Sequence, residues 1–146
     1  MRKRTQAREF ALQILYQIDL TGGNPREIFR DFWQENPNAP EVREFAEMVV
    51  SGTVERQKEI DEVLARYTEN WDLERMAVVD RNILRLSTFE LLYLEEIPPK
   101  VAINEAVNMA KKYSQLESGK FVNGVLDKIS HSEPKRVLPA SSKENP

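Results

Sequence analysis

The amino-acid sequence predicts an all-α chain of about seven helices. Three observations predict it. Apolar residues recur at steps of three and four, no stretch alternates with the period of a strand, and proline, glycine or asparagine stands at most places where the register breaks. At 146 residues, 40% hydrophobic and 31% charged, the chain can bury one core as a single domain or as two small packed halves.

From Thr5 to Leu20, the residues Ala7, Phe10, Ala11, Ile14, Leu15 and Ile18 mark one helical face, and Gly22 and Gly23 end it. Asn24 followed by Pro25 reads as an N-cap and a first helical residue, opening a short helix with Ile28, Phe29, Phe32 and Trp33 inward. The loop from Asn36 to Pro40 stops it. Val42, Phe45, Ala46, Val49, Thr53, Ile60, Val63, Leu64 and Tyr67 then keep register as one long helix or two, with Gly52 as the weak point. Asp72 is placed to cap a helix from about Glu74 to Glu95. Its segment Ile83 to Leu94 is apolar on nearly every side, which puts it at the centre of a bundle. Pro98 and Pro99 close that helix, and Ile103, Ala106, Val107, Ala110 and Tyr113 form a sixth stripe. A polar connection from Ser114 to Gly119 precedes a last helix bearing Val122, Val125, Leu126 and Ile129. Residues 132–146, rich in Pro, Ser, Lys and Glu, read as a flexible tail.

Composition excludes several classes of function. The absence of cysteine removes thiolate nucleophiles and sulfur-ligated zinc and fits a reducing compartment. With His131 as the sole histidine, a Ser/His/Asp triad has no well-placed base. Neighbouring acids such as Asp61 with Glu62 and Glu95 with Glu96 point to different helix faces. Acids at helical spacing, Glu44 with Glu47 and Glu55 with Glu59, lack the Glu-x-x-His spacing of a carboxylate metal site. No Gly-rich phosphate loop occurs. The expectation is therefore no catalytic residue, no metal and no cofactor. No apolar run reaches 18 residues and the basic start lacks an apolar signal segment, so the chain reads as cytoplasmic with no membrane contact.

The net charge of −3 conceals a segregation. Arg2, Lys3, Arg4 and Arg8 give residues 1–8 a charge of +4, residues 9–98 hold 19 acids against 9 bases, and residues 99–128 return to +2. If the two basic ends meet, an acidic body presents one basic face able to bind phosphate. The first helix also shows Gln13 and Tyr16, and Lys111, Lys112 and Tyr113 lie a short turn from Lys120 and Phe121. Cations for phosphates, rings for unstacked bases and amides for base edges suit single-stranded RNA. Read alone, Tyr113 and Phe121 fit the core equally well. Arg81 and Arg85, like charges at i,i+4, need an acidic neighbour such as Glu90 or Glu105, or else a partner protein.

Four segments together resemble the NusB family of bacterial transcription antitermination factors: AREFALQILYQ (Ala7 to Gln17), WDLERMAVVDRNILRLSTFEL (Trp71 to Leu91), IPPKVAINEAVNMAKKY (Ile97 to Tyr113) and SGKFVNGVLDKI (Ser118 to Ile129). The stretch from Thr21 to Asn70 matches in helical pattern only. The resemblance implies two packed three-helix subdomains, about 1–70 and 71–131, within one RNA-binding domain spanning 1–131. It further implies binding of boxA-type single-stranded RNA jointly with NusE, a small-subunit ribosomal protein, in an antitermination complex on RNA polymerase. Carried onto matching positions, it makes Arg2, Lys3, Arg4, Arg8, Tyr16, Ser118, Lys120, Phe121 and Asn123 the RNA face. Glu117 lies within that face as an acid that opposes phosphate, and Glu74, Asp80 and Arg81 look toward NusE. NusB-like domains also front RNA cytosine methyltransferases, an alternative that would need a cofactor domain after residue 146. A helical adaptor without RNA binding is a third reading.

Overall fold

The structure is a computed structural model that describes residues 2–68 and 72–136. Trp71, the first residue of the second motif, lies outside them. The described residues form seven helices and no strand: α1 Lys3–Thr21, α2 Pro25–Glu35, α3 Pro40–Glu55, α4 Gln57–Tyr67, α5 Val78–Tyr93, α6 Pro99–Tyr113 and α7 Ser118–Ser132. None is long and apolar enough to cross a membrane.

Local chemistry sets most boundaries. Gly22 takes a left-handed conformation (φ 70°) and returns its N–H to the Ile18 carbonyl at 2.7 Å, closing α1. The Asn24 side chain accepts from the Arg26 N–H at 2.9 Å, with Pro25 opening α2 as its sequence predicts. The long register after Pro40 is two helices, and the break falls at Arg56 rather than at Gly52. Gly52 is there for packing. A Cβ on it would sit 2.1 Å from Cζ of Phe89, so α3 and α5 approach closely only because it has none.

The start expected for α5 at Glu74 is four residues early. Asp72 accepts the Glu74 N–H on its side chain at 3.1 Å and the Arg75 N–H on its carbonyl at 2.9 Å, so it closes a local turn instead of capping a helix. α7 begins within the expected connection, with Ser118 and Gly119 in its first turn. There the missing side chain of Gly119 makes room for the Lys111 stem, whose Cγ would lie 3.3 Å from an added Cβ.

Every residue of α5 from Asn82 to Tyr93 is buried, and the helix packs against α1, α3, α4, α6 and α7. It is the hub of one continuous core. α1 adds its contact with α3, and Phe10, Phe32 and Trp33 join α1 to α2 through edge-on rings with centroids 5.1–5.5 Å apart. The first residues of the expected tail are tied down: Glu133 accepts from the Tyr67 hydroxyl at 2.7 Å, and Lys135 Nζ donates to the Leu94 carbonyl at 2.9 Å. The rest of that expectation, residues 137–146, lies outside the described residues.

Candidate nucleic-acid interface

Arg2, Lys3 and Arg4 are exposed at the mouth of α1, whose first turn carries no acid and no side-chain cap. The free N–H groups and positive dipole end of a helix add to these cations, so the spot favours phosphate oxygens. Arg4 lies 4.5 Å over the Phe45 ring, which steadies it. Lys3 meets Glu41 at 3.0 Å, but both are 63% exposed, and such a solvated pair is weak and yields to salt.

Arg8 does not join them. It is 3% exposed, its Nε and one terminal nitrogen hydrogen-bond to the Glu90 carboxylate at 2.8–3.0 Å, and its other terminal nitrogen lies 3.6 Å from Glu105. Burial works against the Arg8 charge, yet the hydrogen bonds and charge of Glu90 outweigh it and hold the guanidinium above its ordinary value. Burial pushes the Glu90 carboxyl up, against the opposing pull of Arg8. The position assigned to RNA by its sequence is thus a core contact. It faces inward because Ala7, Ala11, Ile14 and Leu15 turn the same side of α1 onto α5.

Side chains on the first two turns of α1 tie it to α6. Thr5 donates to Glu105 at 3.0 Å, while Lys112 Nζ and the Tyr113 hydroxyl both donate to Glu9, at 3.0 and 2.6 Å. Both sets of numbers rise together, so the helices run parallel. The basic start of α1 therefore stands near the start of α6, and Lys111 and Lys112 stand at its far end, about 20 Å away at roughly 1.5 Å per residue. The two basic ends flank α6 rather than converge. Hydrogen bonding to Glu9 raises the Lys112 ammonium, and burial followed by Glu9 raises the Tyr113 phenol, so both remain donors. Tyr16 is 40% exposed on the outer face of α1.

At the start of α7, Glu117, Lys120 and Asn123 are exposed and Phe121 is half-buried. Ser118 is different. It is buried, donates to Asp80 Oδ2 at 3.1 Å and meets Ser114 Oγ at 3.0 Å, so its hydroxyl is turned into the fold rather than toward solvent. Glu117 occupies the N-cap position without a side-chain cap bond. Asp80 and Ser118, assigned by the sequence to two different surfaces, share one recess of about 270 Å³ with Met76, Gln115 and Phe121.

Glu74 is exposed, but Arg81 is engaged within the fold. Its Nε and a terminal nitrogen reach the Asp19 carboxylate at 2.7 and 3.0 Å, and Arg85 reaches Asp61 at 2.8 and 3.0 Å. Within the chain the two like charges are answered by Asp19 and Asp61, not by Glu90 or Glu105. Burial alone would raise the Asp19 carboxyl, but the hydrogen bonds from Arg81 and Asn82 prevail and lower it. Sequence reasoning missed Asp19 and Glu9. For Glu9 a signal existed, since Glu9, Gln13, Tyr16 and Leu20 follow one another at helical steps on one face.

A sequence model of the NusB family matches residues 5–131. The transcription antitermination protein NusB of Sorangium cellulosum is 45% identical over 132 residues, covering 90% of this chain and 94% of that protein. Its counterpart in Anaeromyxobacter dehalogenans is 47% identical over 133 residues, with coverage of 90% and 93%. Among solved structures, T. maritima NusB is 36% identical with a TM-score of 0.82 over 97% of this chain and 96% of that one. A crystal structure of antitermination factors NusB and NusE in complex with dsRNA matches with 36% identity and a TM-score of 0.83, over 90% and 98%.

Proposed function

The chain belongs to the NusB family, and from that premise we propose that it acts in transcription antitermination by binding boxA-type single-stranded RNA together with NusE on RNA polymerase. Residues 1–131 are the unit that does so. The observation that carries the reading is the exposed Arg2-Lys3-Arg4 start of α1, set on a helix fixed to α6 by Thr5–Glu105 and Glu9–Lys112. RNA that touches these cations and also Lys120 and Asn123 has to follow the α1–α6 edge, passing Tyr16 or Tyr113 for base contact. Glu74, exposed just before α5, and Asp80 and Arg81, at its start, are the groups we assign to NusE.

The related proteins are antitermination factors, which supports a binding role. A titration with a boxA-like strand tests it, run with and without NusE and against the same strand in duplex form. The expected result is weak binding alone, tighter binding with NusE and a preference for the single strand. About four phosphate contacts give a slope of log affinity against log salt near −3. A flat salt response, or no gain from NusE, overturns the reading.

A further inference from the structure

We propose that the groove between the first turn of α1 and the α5–α6 connection seats one RNA base bearing an exocyclic amino group, an assignment that rests on the RNA-binding reading above. The groove encloses about 570 Å³. That is within the range of small-ligand pockets.

Three chemically distinct surfaces meet in it. Arg2 and Arg4 form one wall, exposed and charged for a phosphate. Pro98 and Val101 supply an exposed apolar surface over buried Ile97. Val101 is 41% exposed on the groove side of α6, so it offers a base face something to lie against. Glu96 and Glu105 complete the groove. Glu105 is already used by Thr5 and Arg8, whereas Glu96 is exposed and makes no hydrogen bond or ion pair among the described residues.

A carboxylate in a groove that held phosphate alone would only repel. Beside a base it becomes an acceptor. Cytosine and adenine offer an amino group to it, while uracil sets two carbonyl oxygens around its single N–H and meets the carboxylate with like polarity. The apolar surface is also preformed, since Lys135 Nζ bonds the Leu94 and Ile97 carbonyls at 2.9 and 3.4 Å and holds the connection in place.

The test uses the full chain with twelve-residue oligocytidylate and oligouridylate, read by fluorescence anisotropy. Methyl resonances of Val101 and Ile97 are followed in the wild-type protein, so the result does not hang on a variant folding. The methyl signals are expected to shift on adding oligocytidylate. Val101→Asp is expected to weaken its binding about tenfold, and the neutral Val101→Asn to weaken it comparably with the salt slope unchanged, because a base contact releases no counterion. Glu96→Gln is expected to reduce the preference for cytosine over uracil at least fivefold. Unmoved methyl signals, unchanged affinity for Val101→Asp, or methyl shifts caused only by NusE would overturn the groove assignment. Charge reversal of Arg2, Lys3 and Arg4 separates the two levels. If it abolishes RNA binding while Val101→Asp does not weaken it, only the groove falls; if it too changes nothing, the RNA reading falls with it.

Discussion

Arg8 on α1 and Glu90 on α5 form a forked ion pair closed to solvent, 3% and 1% exposed. Removing one partner strands the other charge in the core, at a typical cost of about 3–5 kcal/mol, whereas replacing both with apolar groups of similar volume is often near neutral. Arg8→Ala is therefore expected to lower the melting temperature by roughly 10 °C, and Arg8→Met with Glu90→Leu to recover most of it. Thermal melts of the single and double variants check this. Equal loss in both would mean that the pair itself stabilises.

Asp19 gives a pH dependence with a definite sign. Its folded carboxyl titrates below the ordinary value of 3.8, because Arg81 and Asn82 outweigh burial. The unfolded chain thus binds the proton first as pH falls, and the contribution of Asp19 is fully present above its unfolded value and lost as pH drops through the folded one. The stability gap between wild type and Asp19→Asn is expected to stay flat from about pH 7 to 5 and to close below about pH 4. Urea titrations across that range measure it, and a gap unchanged at pH 3 would show that the lost contact is not the ionised one.

Gly52→Ala sets two effects against each other. Alanine in a helix interior ordinarily gains about 1 kcal/mol over glycine. Here the added Cβ lands 2.1 Å from the Phe89 ring, which belongs to the buried hub helix, and overpacking costs typically 1–3 kcal/mol and more where the backbone cannot shift. Net destabilisation is expected in a denaturant melt, with partial rescue by Phe89→Leu.

Glu117 sits at the N-cap of α7, where a carboxylate gains about 0.3–1 kcal/mol from the helix dipole. It is also exposed beside Lys120. If phosphates pass there, Glu117→Gln lowers stability slightly and tightens RNA binding, most visibly at low salt. A purely structural role allows no tightening. Equal or weaker affinity at low ionic strength places the RNA path away from this turn and removes Lys120 and Phe121 from it.

Helical periodicity was enough to place the helices, though it left α3 and α4 as one element or two, because burial on one face repeats every three or four residues whatever the tertiary partner. Boundaries set by side-chain competition were harder. Asp72 has the chemistry of a cap and closes a turn instead, and Ser118, legible as a polar residue of an open connection, gives its hydroxyl to Asp80 inside the fold. Pairing across the fold was not legible at all. Arg8 and Arg4 look alike in sequence, yet four residues of helix carry one from solvent to the core, and only the packing of α1 on α5 decides which is spent. Arg81 and Arg85 announced a need for acids, but Asp19 and Asp61 are met only through the third dimension.

The uncapped, acid-free start of α1 places the charges of Arg2, Lys3 and Arg4 at the positive end of their own helix. In the free protein these charges repel both the dipole and one another, so the first turn is held in a frustrated state that an anion relieves. Ligand binding and local helix stability are therefore one equilibrium seen from two sides. Bound RNA should slow amide hydrogen exchange at residues 6–9, whose N–H groups bond the carbonyls of the first turn, by the same factor by which fraying of that turn weakens RNA affinity, a linkage confined to the start of α1 and absent from the α5 core.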